Sequence, residues 1–428
     1  MNYLKLINET MHELSGITLH TLNTSKFKTN TLVLKLKSAL TEENVTKRAL
    51  LPYVLQTATN TYKTSTELRI YLDELYGATL NVDLSKKGEF HIITFRIDIA
   101  NEKFLKDSTP LLQKAINLLA DVLLNPLVEG GYFSSSIVEN EKRTLKQRIQ
   151  SIYDDKMRYS SHRLVEEMCK NEPYRLAANG VKDDVDTITA QNLYEYYEQV
   201  LNTDDIHLYA IGDLDEEEVI NFVEKAFPLK SRQKSLHEVN KGKNVTSENE
   251  VIDRDDVKQG KLNIGYRTNI TYNDSLYPAL QVFNGIFGGF SHSKLFINVR
   301  EKESLAYYAA SRVESHKGLL LVMSGIDFSN YEKAVKIIKE QMVEMQNGNF
   351  TDNEIAQTKA VIKNQILETI DTPRGQVEIL YNNEFGSIDR KAIEDIISNI
   401  ENVTKEDIIN VAKQIQLDTI YFLTGKED

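Results

Sequence analysis

Residues able to do metal or nucleophilic chemistry are few in this chain and widely spread. Its 428 residues include eight histidines, His12, His20, His91, His162, His207, His237, His292 and His316, and one cysteine, Cys169. A helical zinc site needs two imidazoles one turn apart so that both face the same ion. No two of these histidines lie three or four residues apart. His162 with Glu166 and Glu167 comes nearest to half a site, and a solvated helix face explains that grouping better. Ser291 beside His292 in GGFSHSK (288–294) lacks both the G-x-S-x-G frame and a third orienting group, so it reads as a polar loop. Neither a G-x-x-x-x-G-K-[ST] loop nor a G-x-G-x-x-G turn is present to cradle phosphates. A single cysteine rules out an internal disulfide framework and a thiolate cluster.

The elements that would position any site repeat themselves. In the first half, TNTLVLKLKS (29–38) alternates like a strand and is followed by a helical stretch over 43–57. The segment 64–101 then reads as a helix with Leu68, Tyr71, Leu72 and Leu75 on one face, followed by a hairpin turning near Lys87-Gly88. In the second half, KLNIGYRTNI (261–270), a helix over 275–286 and the segment 293–330 with its Lys317-Gly318 turn follow the same order. The tails agree as well: 188–218 and 403–428 each show a threonine cap, an amphipathic helix and a strand. Long helices are expected at 134–152 and 329–347. This grammar predicts an α+β fold of two tandem, similar domains, each a mainly antiparallel sheet covered by helices. The expected division is 1–228, a polar linker at 229–250, and 251–428.

Composition narrows the function. Hydrophobic residues at 41% and charged residues at 27% describe a globular chain. Fifty-one basic against sixty-three acidic residues give a net charge of −12. That balance argues against nucleic acid or an anionic membrane as the main partner. No apolar run approaches the ~18 residues of a membrane span, and the N-terminus lacks the basic start and apolar block of a signal peptide. A cytoplasmic location is expected.

Taken together, the chain resembles the pitrilysin/insulinase family of zinc metallopeptidases over nearly its whole length. The most specific stretch is GIFGGFSHSKLFINVREKESLAYYAAS (285–311), with NEPYRLAANG (171–180) and HLYAIGDLDEEE (207–218) as further landmarks. The resemblance implies tandem domains of the LuxS/processing-peptidase-like kind. It also implies an H-x-x-E-H helix in the first domain and a glutamate farther on as third zinc ligand. The equivalent helix here is RALLPYVLQTATN (48–60), with Pro52 and Gln56 at the histidine positions and Leu55 at that of the glutamate base. In VENEKRTLKQRIQS (138–151), Glu141 matches the family's supporting acid and Arg148 stands where the third ligand belongs. Proline and glutamine cannot act as imidazoles, leucine cannot take a proton from water, and arginine repels a dication. No cofactor is expected in this chain, and zinc only in a partner subunit.

What is retained lies in the second half. The resemblance assigns substrate-backbone binding to an arginine and a tyrosine seven residues later, which here are Arg300 and Tyr307, with Tyr308 adjacent. A guanidinium fork and a phenol suit a peptide carbonyl and its developing oxyanion. The alternative is that Arg300 pairs with Glu301 or Glu303 while Tyr307 merely packs. Loss of the zinc half with retention of this half suggests a non-catalytic subunit. Such a chain would bind substrate backbone and close the chamber for an H-x-x-E-H-bearing paralogue that processes peptides or small proteins. In isolation it could homodimerise. Within the family the resemblance is nearest to a zinc-less Firmicute branch associated with 5-aminopentanol modification of elongation factor P. A peptidase-fold scaffold or binding protein, as in the core subunits of bc-type respiratory complexes, is the competing reading.

Overall fold

The computed structural model describes residues 5–106, 109–231, 242–385 and 390–426. Among these residues thirteen strands run in chain order: β1 Glu9–Leu14, β2 Ile17–Asn23, β3 Thr29–Ala39, β4 Thr79–Lys87, β5 Phe90–Ala100, the short pair β6 Val128–Glu129 and β7 Tyr132–Phe133, β8 Asp205–Gly212, β9 Asn249–Asp255, β10 Gly260–Arg267, β11 Ala306–Glu314, β12 Leu319–Ile326 and β13 Gln416–Gly425. The first half contributes helices α1 Val45–Thr57, α2 Ser65–Glu74, α3 Leu111–Leu124, α4 Ser135–Asp154, α5 Lys156–Met168, α6 Ala190–Thr203 and α7 Glu216–Ala226. The second contributes α8 Tyr277–Asn284, α9 Tyr331–Gln346, α10 Asp352–Ile370, α11 Pro373–Tyr381, α12 Ile393–Glu401 and α13 Lys405–Gln414. No helix among the described residues is long and apolar enough to cross a membrane.

Contacts divide the chain into two units. In the first, six strands form a sheet ordered β1-β2-β8-β3-β5-β4, antiparallel except for β2 with β8. Register explains why one face is apolar: Leu34 sits opposite both Phe95 and Leu208, and Leu36 opposite Ile93 and Ile206. These side chains join α1, α3, α6 and α7 in one core. Side chains two apart along a strand share a face, so a single correct register buries the whole set. The β4–β5 hairpin turns through Gly88 and Glu89, just after Lys87, with Gly88 at φ +55°.

In the second unit, five strands are ordered β11-β12-β10-β13-β9, with β9 parallel to β13 and the rest antiparallel. The helices α8, α9, α10 and α13 cover one face over a core that includes Leu262, Ile264, Phe283, Phe287 and Ile338. Both units are therefore α+β, with mainly antiparallel sheets.

The division of the chain differs from one cut near 229–250. Residues 152–175 and the hairpin tip 87–89 group with the second unit, and the first unit resumes at Leu176. The reason is apolar burial: Leu164, Val165 and Met168 of α5 pack with Leu319, Leu321, Tyr421 and Leu423. Arg267 ties the same segment down, donating to Met168 O at 2.7 Å and pairing with Glu172 at 2.6 Å. Much of the expected linker, residues 232–241, lies outside the described residues.

Candidate functional site

In the first unit, α1 is held on the sheet by a buried ion pair. Arg48 Nη2 lies 2.6 Å from Asp204 and 2.8 Å from Leu36 O, and Arg48 Nε donates to His91 O at 3.2 Å. Burial opposes the Arg48 charge, but Asp204 and the Tyr196 hydroxyl together outweigh it and push the guanidinium above its ordinary pKa. One turn on, Pro52 is buried inside the helix and Leu55 is sunk in the core, while Gln56 is half-buried. Arg148 projects from α4 with its guanidinium carbon 3.4 Å from the centre of the Tyr53 ring. Thr57 donates to Glu141 at 3.1 Å. The α1 side chains that meet Arg148 and Glu141 are thus Tyr53 and Thr57, which flank the Pro52, Leu55 and Gln56 positions. Burial raises the Tyr53 phenol, with Arg148 pulling the other way.

These residues do not fit a zinc ion. From Val45 to Thr57 there is no histidine, cysteine, aspartate or glutamate, so no shift of register supplies a ligand. Neither α1 nor α4 contributes to a group of three metal-ligating side chains among the described residues. Arg148 Nη1 and the Gln56 side-chain oxygen are both buried without a hydrogen-bond partner among the described residues. A cation stacked on a phenol fills the gap between the two helices.

A polar cluster that local spacing could not reveal lies on β2 and β8. His20 Nε2 is 2.9 Å from His207 Nδ1, with Glu9 at 2.8 Å from His20 Nδ1 and Asp205 at 3.2 Å from His207 Nε2. His20 also stacks on Tyr209 with ring centres 4.1 Å apart. Both imidazoles are buried, and each is engaged by the other and by a carboxylate. The parallel pairing of β2 with β8 creates this meeting, for which the sequence carries no local signal.

In the second unit, the retained residues occupy irregular backbone. Gly285–Gly289 and Phe296–Lys302 are π-helical turns, a geometry that concentrates at functional positions. A Cβ on Gly288 would come within 2.5 Å of Ser311 Oγ, so glycine lets the first turn lie close against β11. Arg300, in the second turn, is exposed and lies over the Phe296 ring at 4.6 Å. It has no ion pair among the described residues, and Glu303 instead binds Lys333 at 2.7 Å. Ser304 then takes a left-handed conformation, φ +52°, and leads into β11.

At the start of β11 the ladder slips: Ala306 faces Ile326 while Tyr308 faces Gly325, which leaves Tyr307 as the extra residue of a bulge. A bulge re-aims the side chain it carries, and Tyr307 is 75% exposed. Tyr308 turns the other way, its ring against the bare backbone of Gly325 and 5.8 Å from Lys261 Nζ. Burial, with Asp155 adding to it, pushes its phenol up to about 12. No hydrogen bond joins Arg300 to Tyr307 among the described residues, so an exposed fork and an exposed phenol stand on successive elements.

A family model described as "Peptidase M16 inactive domain" matches residues 187–362. "Probable inactive metalloprotease YmfF" of Bacillus subtilis (strain 168) is 57% identical, with 98% of this chain and 99% of that protein covered. A crystal structure of a conserved protein from Enterococcus faecalis V583 superposes with a TM-score of 0.92 at 34% identity, covering 98% of this chain and 99% of the other. The structure of a peptidase M16 inactive domain from Pseudomonas fluorescens shares the fold, with a TM-score of 0.78 at 14% identity and 98% of each chain covered.

Proposed function

Because this chain belongs to the M16, pitrilysin-like family of zinc metallopeptidases as a zinc-less member, we propose that it serves as the non-catalytic subunit of a two-chain peptidase. The partner would be a paralogue bearing H-x-x-E-H, which holds the zinc and the general base. This chain would bind the backbone of a peptide or small protein and close the chamber. The carrying observation is the state of Arg300 and Tyr307, a guanidinium with no carboxylate partner among the described residues and a phenol lifted into solvent. Arg300 donates a planar fork to a peptide carbonyl, and Tyr307 its phenolic O–H to the developing oxyanion. Charged hydrogen bonds of this kind are worth roughly 1.5–3 kcal/mol, or about ten- to a hundredfold in rate.

The test is co-expression with an H-x-x-E-H paralogue and measurement of peptide turnover. Arg300→Ala and Tyr307→Phe should each lower kcat/KM at least about tenfold while the complex stays assembled. Unchanged turnover removes the assisting role. Zinc near one per heterodimer supports the enzyme reading, whereas a zinc-free complex favours the scaffold. The tie to elongation factor P rests on resemblance alone. Mass spectrometry of that factor from a deletion strain tests it, and an intact 5-aminopentanol modification removes the link.

A further inference from the structure

The second unit contains a cavity of about 310 Å³ between α8, α10, α11 and α12. That lies at the lower end of the ~300–1,000 Å³ range of ligand sites and holds roughly ten water-sized groups. Its walls combine apolar side chains, chiefly Phe290, Ile362, Ile366 and Ile396, with amides such as Asn284, Gln365 and Asn399. Its polar equipment is specific. Lys391 is half-buried, bonds the Tyr272 carbonyl at 2.5 Å and lies 4.8 Å from the centre of the Tyr272 ring. It has no carboxylate partner among the described residues, although burial holds its ammonium below the ordinary lysine pKa, with Asp274 opposing. A half-buried cation that lines a cavity and forms no ion pair among the described residues favours an anionic ligand. At the same cavity the side-chain amide of Gln281, also half-buried, makes no hydrogen bond among the described residues.

We propose that this cavity binds the C-terminal residue of a peptide, its aliphatic or aromatic side chain among the isoleucines, its carboxylate on Lys391 and its amide on Gln281. The size fits: a leucine side chain with its carboxylate and amide comes to roughly ten groups. The amide distinguishes a peptide from a fatty acid, which presents a carboxylate and chain but no N–H donor for Gln281. This site is separate from the Arg300 and Tyr307 reading, and its test needs no partner subunit.

The experiment is isothermal titration of the full chain with N-acetyl-Gly-Gly-Leu as free acid, the same peptide as C-terminal amide, and octanoate. The free acid should bind at least about tenfold more tightly than either other probe. Lys391→Gln should weaken the acid to the level of the amide and leave the amide unchanged. Ile366→Trp, which fills the cavity, should abolish binding of all three, with circular dichroism confirming the fold. Should that variant not fold, Gln281→Ala replaces it and should weaken the peptides but not octanoate. Equal binding of acid and amide, octanoate binding as tightly as the peptide, or Lys391→Gln binding like the unsubstituted chain would each overturn the proposal.

Discussion

Arg148 on α4 stacks on Tyr53 of α1, guanidinium carbon 3.4 Å from ring centre, helix against helix. The pair does mechanically what a bridging ion would do, since it fastens the same two helices. A cation–π contact that is partly desolvated is worth about 1–2 kcal/mol. Arg148→Ala is therefore expected to lower the unfolding free energy by about that amount. Tyr53→Leu should cost a similar amount, and the double variant less than the sum of the two singles. Urea denaturation checks all three, and strict additivity would show that the stack carries no energy.

Arg300 and Tyr307 should behave in the opposite manner. Both are exposed and neither is tied by an ion pair among the described residues. Arg300→Ala and Tyr307→Phe are expected to change stability by less than about 0.5 kcal/mol. Arg300→Lys keeps the charge but loses the planar fork, so turnover of the assembled peptidase should fall with it. Thermal melts and kinetics on the same preparations separate the two effects.

The ion pair that seats α1 is a fixed point. Arg48 and Asp204 are each about 1% exposed, 2.6 Å apart. Removing one partner leaves a buried charge uncompensated, which typically costs 3–5 kcal/mol. Asp204→Ala is expected to fall in that range by chemical denaturation, and a loss below about 1 kcal/mol would contradict the burial described.

Acid should destabilise the second unit through His316. Burial foremost, and then the Lys87 ammonium, hold its imidazole down at about 4, with the Asn382 hydrogen bond opposing. An unfolded imidazole titrates near 6.5. Below that pH the unfolded chain takes up a proton that the folded one refuses until about pH 4, so stability falls across that window. The shift corresponds to about 3 kcal/mol. His316→Asn should flatten the decline between pH 6.5 and 4, measured as the urea midpoint against pH.

Local pattern carried much of this architecture. The alternation in 29–38 and the glycine at 88 give β3 and the hairpin directly, because side-chain period and turn conformation are properties of neighbouring residues. The threonines before α6 and α13 appear in the structure as complete capping boxes. What the sequence hides is produced by pairing at a distance. Nothing near His20 announces His207, since β8 enters between β2 and β3 from nearly two hundred residues away. Tyr307 likewise differs from Tyr308 only through a ladder slip that no residue type reports. That Pro52, Leu55, Gln56 and Arg148 cannot serve as zinc ligands or base, by contrast, is legible from residue types alone, and the structure adds the Arg148–Tyr53 stack beside them.

The assignment of α5 to the second unit has a practical consequence for anyone dividing the gene. A clone beginning at residue 242 would contain every strand of the second sheet. It would nevertheless lack the helix that keeps Leu319, Leu321, Tyr421 and Leu423 dry. Such a fragment would present a bare oily stripe on its sheet and be expected to precipitate, whereas supplying residues 152–175 in trans, or grafting them onto its start, should return it to solution.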